Sequence, residues 1–551
     1  MLAHGTELPA AAHFVRAVRG ISGNRREMSS FVSSLRAWPA ARLGAFLALV
    51  VLTGLPRFAG LGTYPLWHDE AWVAVSVEQS SIAEMLFQFS YPQTTPPLFL
   101  MATRMLVAVF GQGDIVLRLL PAVAGLACVV LLFPLTRSMT RSDVAAVFAS
   151  AMLGTNMVFF RYSQELKQYT TEALATIVLL LLAERYVSNT AGRMRSWIVL
   201  TAAAVVSLGF SFSAPFMIAT VGLRLAVWAI GRSEARAREL AWVVAFGLVT
   251  GLAGVLIFVV FVQSNLQVWL YDFWRERGFF PESPHAGLGI VRFIARQTLS
   301  IPVFLFGTRS TGWVNALSPA VASLLIVSGC IIWLRARNHA ASLYVLAPFA
   351  LMVTAGVAGI YPYGGDRIML FAAPVLCMAA ASGFAALAEH ISVYRRPIVA
   401  WTAFASVLLF ALPIYAGMTT RFHYAKLHID MRSAVTQYFA SKSDDDVASY
   451  IDGTEFALLH YMGSDAFERL EGIRGWGVTL LSEPMEDVDR IVDVRGAGHR
   501  LWLFVPRRII ADEIADTVVT YAARRCVRDG HWSYQNAELH LLDCTRPKPS
   551  L

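Results

Sequence analysis

The apolar residues fall into long runs over the first three quarters of the chain and into short alternating stretches over the rest. Eleven runs are long enough for one membrane crossing at 1.5 Å per residue. They are 43–60, 116–136, 143–160, 169–187, 196–212, 214–231, 239–262, 313–334, 341–360, 367–388 and 398–416. No small-residue cleavage site follows 43–60, so it reads as an uncleaved first span. Two further stretches, 97–111 with Arg104 and 290–307 with Arg292 and Arg296, are read as amphipathic helices lying on the outer surface. Loop charge decides this. With neither stretch crossing, Arg137/Arg141, Arg185/Arg193/Arg195, Arg232/Arg236/Arg238, Arg335/Arg337 and Arg395/Arg396 all face one side, which the positive-inside rule makes the cytoplasm. The opposite loops then hold Arg161, Lys167 and Arg367. Eleven crossings from a cytoplasmic N-terminus place the C-terminal region outside.

That region has a different pattern. Val447–Ile451 and Arg500–Val505 read as strands, and 509–525 has helical spacing at Ile510, Ile514, Val518 and Ala522. Glu538–Leu542 alternates polar and apolar residues as an edge strand would. The predicted fold is an α-helical polytopic membrane protein of about 11 transmembrane helices with outer interfacial helices and a C-terminal α/β soluble domain. The expected divisions are a basic cytoplasmic tail (1–42), a transmembrane catalytic domain (43–416) and an extracytoplasmic α/β domain (417–551).

Composition narrows the class. Hydrophobic residues make up 56% of the 551 and charged residues 15%, whereas a soluble domain is nearer about a quarter charged. A soluble enzyme, a disordered regulator and a DNA-binding domain are excluded for most of the length. The net charge of +8 does not imply nucleic acid, because it is unevenly spread. Residues 1–417 hold 30 basic and 18 acidic side chains, the basic ones mostly in short loops, while 418–551 hold 16 and 20. Cys128, Cys330 and Cys377 lie in apolar runs. Cys526 and Cys544 bracket turn signals at Asp529-Gly530 and Gln535-Asn536. A hairpin there brings the two Cα atoms within the roughly 4.4–6.8 Å a disulfide needs; the alternative is two unrelated thiols. No CxxC pair and no zinc-ligand spacing is present.

Three outer loops carry candidate chemistry. The first reads Tyr64-Pro65-Leu66-Trp67-His68-Asp69-Glu70-Ala71-Trp72. Adjacent carboxylates beside a membrane are costly to dehydrate and do chemistry or bind cations. Equally, Asp69 is an N-cap and Glu70 a first-turn residue of a surface helix 71–88. His68-Asp69-Glu70 makes a poor metal set, since consecutive side chains rarely converge on one ion. The second loop, Arg161 to Tyr169, includes Glu165 and Lys167, the only lysine in 1–417. Lys167 pairs with Glu165 or meets an anionic ligand, and Arg161 can reach a headgroup or phosphate. The third, Tyr361-Pro362-Tyr363-Gly364-Gly365-Asp366-Arg367, has a tight Gly-Gly turn. Arg367 then either snorkels to lipid phosphates or clamps a substrate phosphate. No P-loop, GxSxG, HExxH or dinucleotide fingerprint competes.

Tyr64…His68-Asp69-Glu70-Ala71, Thr95-Pro96-Pro97-Leu98, Phe110-Gly111…Leu117-Arg118-Leu119-Leu120-Pro121-Ala122, Tyr162-Ser163-Gln164-Glu165…Tyr169 and Arg367 with Pro374 together resemble the GT-C superfamily of membrane glycosyltransferases. The group most like it comprises protein O-mannosyltransferases, aminoarabinose transferases and lipopolysaccharide-core glycosyltransferases, and the resemblance covers about 43–416. It implies a hexosyl- or pentosyltransferase that takes its sugar from a polyprenyl-phosphate donor. The acceptor is then an envelope glycan, lipid or protein at the periplasmic face of a bacterial cytoplasmic membrane. Asp69, Glu70 and Glu165 map on catalytic positions, and His68, Arg161, Lys167, Tyr169, Tyr363 and Arg367 on substrate-binding ones. No metal or other cofactor is assigned. Nucleotide sugars are cytoplasmic, so an outward site needs a lipid-borne donor. A base takes the acceptor proton, and cations stabilise the departing phosphate. The rival is a transporter or flippase of a lipid-linked sugar, which would more often show mid-membrane ionisable residues and broken helices.

Overall fold

The computed structural model describes residues 40–78, 81–87, 95–189, 192–232, 235–263, 268–275, 277–280, 286–307, 313–394, 428–475, 482–496, 498–507 and 512–545. They form two compact units. The first takes the chain to Phe58, then Pro121–Gln164 and Gln168–Tyr415; the second takes Ala59–Leu120, Glu165–Lys167 and Ala416–Leu551.

Among the described residues seven helices are long and apolar enough to cross a membrane, or eight if a bent pair counts as one. The chain is thus a multi-pass helical membrane protein, and the count of eleven is not reached. Each difference has a physical source. Run 143–160 breaks at Thr155–Asn156 into Asp143–Gly154 and Met157–Ser163, bent by 61°. Asn156 causes the break: its Oδ1 accepts from Phe159 N–H at 2.7 Å and its Nδ2 donates to Leu305 O at 2.6 Å. Run 169–187 becomes helix Tyr169–Ser188, which contains Glu172, Glu184 and Arg185. Run 214–231 becomes a 17-residue helix, Ala214–Ile230. Of the first run, Phe46–Phe58 is a shorter apolar helix, and 398–416 lies outside the described residues.

The two stretches set aside as interfacial behave differently. Pro97–Phe110 has 14 residues, about 21 Å of helix, which is short of a bilayer core of about 30 Å. Stretch 290–307, by contrast, lies in helix Ala286–Phe306, and its Gly289–Phe306 portion qualifies as a span. By length and composition it can therefore cross, where the loop charges placed it on the surface. Val291, Leu299 and Val303 stand exposed along it.

The core of the first unit is built from Leu, Phe, Met and Ala on Asp143–Gly154, Tyr169–Ser188, Ala214–Ile230, His339–Val357 and Ala373–Tyr394. Helices Trp313–Arg335 and Ala373–Tyr394 touch backbone to backbone. A Cβ on Gly329 would lie 1.9 Å from Ala379 O, and one on Gly383 2.2 Å from Leu325 O. Small residues allow such contact, which replaces hydrophobic driving force inside a membrane.

The second unit contains a five-stranded mixed sheet. Its strands are β1 (Val447–Ile451), β2 (Glu471–Ile473), β3 (Arg500–Pro506), β4 (Val527–Tyr534) and β5 (Ala537–Asp543), in the order β2-β1-β3-β5-β4. β1 runs parallel to β2 and β3, and β5 antiparallel to β3 and β4. One face carries Ile451, Leu501, Leu503, Val505 and Leu542 against Ala515, Val518, Val519 and Ala522 of helix Asp512–Arg525. On the other face Trp502 stacks on Trp532 at 5.3 Å, and Tyr438 of helix Met431–Ser441 meets Trp502 and Phe504 edge-on. The strand expected at the edge, β5, is interior; β4 is the edge. Asp529-Gly530 is a register shift within β4 and not a turn, whereas Asn536, at φ 51°, closes the hairpin. Cys526 and Cys544 flank that hairpin as a disulfide, Cα atoms 4.5 Å apart.

Candidate active site

The first loop belongs to the second unit. Its helix runs His68–Val77, with Trp67 as N-cap in an extended conformation. Asp69 is therefore not the cap, and the helix ends well short of residue 88. A separate short helix, Ile82–Phe87, follows. Nor is it a surface helix: Glu70, Ala71 and Val73 to Val77 are buried.

Glu70 sits at the third helical position, 0% exposed. Its Oε1 accepts from Arg118 Nε at 2.7 Å and from Leu166 N–H at 2.7 Å. Its Oε2 accepts from Arg118 Nη2 at 2.6 Å and more weakly from Trp67 N–H at 3.4 Å. Burial pushes this carboxyl up. The Arg118 charge and hydrogen bonds, His428 and the Leu166 N–H outweigh burial and hold it below the usual carboxylate range. A carboxylate so occupied is committed to holding the loop.

Arg118 is the residue that sequence reasoning missed. It is 2% exposed, and its remaining N–H groups reach Leu61 O, Tyr64 O and Pro65 O at 2.6, 2.8 and 3.2 Å. One guanidinium therefore ties the start of helix Asp114–Thr140 to the whole turn 61–70. A signal was present: an arginine at the start of an apolar helix must pair or leave a costly buried charge.

Through Leu166 N–H the same carboxylate fixes Glu165–Lys167 in the second unit. Glu165 and Lys167 are both buried there. The chain turns tightly at this point, with Lys167 N–H donating to Glu165 O at 2.7 Å. Glu70 of the first loop and the second-loop turn Glu165–Lys167 are thus held together. His68 is half-buried in an aromatic cluster, its ring edge-on to Trp72 and Phe456, which themselves stack at 4.7 Å.

The C-terminal residues of this unit grip the same loop. Arg432 donates to Gly62 O, Thr63 O and Asp114 Oδ2 at 3.0–3.1 Å. Tyr461 accepts from Leu66 N–H at 2.8 Å and donates to Asp114 Oδ2 at 3.2 Å. His460 lies between Glu78 and Asp114, with N···O distances of 3.0 and 3.5 Å. Burial disfavours its charge, but the two carboxylates prevail and raise its pKa to about 9. None of these partners was legible in sequence, since more than 300 residues separate them.

The remaining predicted residues lie in the first unit. Arg161 is buried with its guanidinium 5.4 Å over the Tyr162 ring. Tyr162 meets Tyr169 edge-on at 5.0 Å, and Arg367 lies 6.0 Å over Tyr169. Two arginines and two tyrosines thus form one ladder, which joins Arg161, Tyr169 and Arg367. Arg367 opens a 3₁₀ turn capped by Asp366, and its side chain stays a quarter exposed. Tyr363 is fully buried with its hydroxyl 2.8 Å from Thr298 Oγ1. The Gly364-Gly365 turn is held by Gly365 N–H donating to Ser300 Oγ at 2.7 Å.

Against known proteins, residues 94–262 match the family described as dolichyl-phosphate-mannose-protein mannosyltransferase. The chain is similar in structure to ArnT from Cupriavidus metallidurans in the apo state, at 14% identity and TM-score 0.54, over 91% of this chain and 98% of that one. It is similar to the same protein bound to undecaprenyl phosphate, at 14% identity and TM-score 0.53, over 92% and 99%. The Archaeoglobus fulgidus oligosaccharyltransferase in complex with Zn and sulfate matches at 12% identity and TM-score 0.50, over 89% and 72%. No curated protein matches the chain. The likeness to the GT-C mannosyltransferase group read from the loop motifs is present in the family match, and the fold is shared with the solved structures.

Proposed function

We propose that this GT-C-like membrane protein transfers a monosaccharide from a polyprenyl-phosphate donor to an envelope acceptor on the outer face of the cytoplasmic membrane. One observation carries the reading: Glu70, locked to Arg118, holds Asp69 on one side and the Glu165–Lys167 turn on the other. An acid and a cation are thereby fixed on a single buried anchor, which is the pairing that displacement at a sugar phosphate requires. The family match and the fold of an ArnT captured with undecaprenyl phosphate support the lipid donor.

In this account Asp69 accepts the acceptor hydroxyl proton. The freed oxygen attacks the anomeric carbon opposite the phosphate, the C1–O bond to phosphate breaks, and the configuration inverts. Polyprenyl phosphate departs with the bonding electrons. Lys167, and Arg367 with Arg161 on the tyrosine ladder, are assigned to its negative charge. Glu165 takes a second acidic role in positioning the donor. Glu70 and Arg118 are positioning residues.

In the proposed topology, with the first apolar run as a crossing, the tail lies outside, and its contacts support this. Residues 428–461 grip the first loop within one unit, so both lie on the same side of the membrane. With the basic 1–42 tail inside and one crossing before that loop, the side is extracytoplasmic. The disulfide Cys526–Cys544 fits an oxidising compartment.

A single-turnover assay with full-length protein in nanodiscs, a polyprenyl-phospho-sugar and mixed envelope acceptors tests the reading. Sugar on the acceptor with stoichiometric release of polyprenyl phosphate supports it. Counterflow of intact lipid donor without transfer would assign a transporter instead.

A further inference from the structure

We propose that His531, Glu538 and His540 form a divalent transition-metal site on the C-terminal hairpin, of the chemistry that takes Zn²⁺. The sheet register brings them together. His531 on β4 is the direct cross-strand partner of His540 on β5, and Glu538 precedes His540 by two residues, on the same face of the strand. The two imidazoles stack with centroids 4.5 Å apart and planes 18° from parallel. Both present Nε2 to one carboxylate oxygen: Glu538 Oε2 is 3.0 Å from His540 Nε2 and 3.6 Å from His531 Nε2.

These separations suit a shared ion. Ligands about 2.0–2.1 Å from a tetrahedral zinc stand about 3.3 Å from one another, and the two observed distances bracket that value. Two imidazoles with one carboxylate are a borderline N₂O donor set, which favours zinc and its late neighbours over calcium or magnesium. Three protein ligands would leave one position of a tetrahedral ion open.

His540 is buried while His531 stays partly exposed, so the site lies between the sheet and its edge. The Nδ1 of His540 is buried with no hydrogen-bond partner, so no donor pins the tautomer. Arg507 competes for Glu538 Oε2 at 2.7 Å but also holds Asp516 at 2.7 Å, so it stays paired when metal takes the carboxylate oxygen. The hairpin is pre-organised by the disulfide at one end and the Asn536 turn at the other. Sequence inspection finds no zinc spacing here because the ligands meet across strands.

The test uses full-length, tag-free protein in detergent, stripped with chelator and titrated with Co²⁺ and then Zn²⁺. Wild type is expected to bind one equivalent of Co²⁺ with the intense visible absorption of a tetrahedral site, to exchange it for Zn²⁺, and to melt at a higher temperature when loaded. His531→Ala, at an exposed position expected to fold normally, and Glu538→Gln should each weaken binding at least tenfold. Absence of a stoichiometric site in wild type, or a loss smaller than tenfold in His531→Ala, overturns the assignment. Unchanged binding in that variant would place any metal elsewhere on the chain.

Discussion

Glu70 and Arg118 meet fork to fork, 2.7 and 2.6 Å apart, with neither side chain more than 2% exposed. The relationship divides two neighbouring acids into different tasks. Glu70 is used up in holding the loop, and Asp69 is left as the first-loop acid for chemistry. Breaking a buried pair by removing one partner costs ~3–5 kcal/mol, because the other charge is left uncompensated. Glu70→Ala and Arg118→Ala should each lower the thermal midpoint in detergent sharply and reduce expression. Asp69→Asn should not. A Glu70→Ala protein that melts with wild type would remove the clamp from the account.

His460 predicts a pH dependence with a defined sign. Its pKa is raised from an ordinary value near 6.5 to about 9 by Asp114 and Glu78. A group with a raised folded pKa stabilises the fold fully below its unfolded pKa and loses that contribution as pH climbs through the folded one. The grip of residues 455–462 on the first loop should be strongest below about pH 6.5 and weaken progressively towards pH 9. Melting scans from pH 6 to 10 should show this slope in wild type and lose it in His460→Gln. A parallel slope in the variant would assign the effect to another group.

Much of the architecture was legible because apolar run length and loop charge report directly on membrane helices. The loop motifs single out residues that the structure buries or anchors, but they do not show the partners. Asp69 and Glu70 stand side by side in sequence; only the 48-residue reach to Arg118 marks Glu70 as the anchor. The contact of Tyr363 with Thr298, 65 residues away, has no local signature either. Stretch 290–307 was placed by the charges of the other loops, while its own length and composition suit a span. β4 and β5 exchanged places because alternation reports a strand but not its neighbours. The grip of Arg432, His460 and Tyr461 on the first loop has no local signature at all.

The phosphate cations make a separate prediction. Losing one such contact typically costs a factor of ~10²–10³ in turnover. Lys167→Ala and Arg367→Ala should each slow transfer by about that much while the thermal midpoint stays near wild type. Arg161→Ala should follow, since it shares the tyrosine ladder with Arg367. Normal turnover by any one of these proteins would withdraw that residue from the phosphate role.

The disulfide tests the compartment. Cys526 and Cys544 are 18 residues apart, a loop for which the chain-entropy model assigns about 3 kcal/mol. Non-reducing peptide mapping of native membranes should recover the linked peptides, and reductant should lower the midpoint of the C-terminal region. Two free thiols in native membranes would reject the bridge. Labelling of Cys526 from the cytoplasmic side would overturn the outward placement of the tail.

The central claim is that Asp69 takes the acceptor proton. The direct measurement is single-turnover release of polyprenyl phosphate by Asp69→Asn in nanodiscs, run beside a donor-binding titration of the same preparation. The amide keeps the size of the side chain but cannot accept a proton, and the Glu70–Arg118 clamp is untouched. Donor binding within a few-fold of wild type with transfer reduced below detection is the expected result. Transfer within a few-fold of wild type would show that Asp69 is not the base.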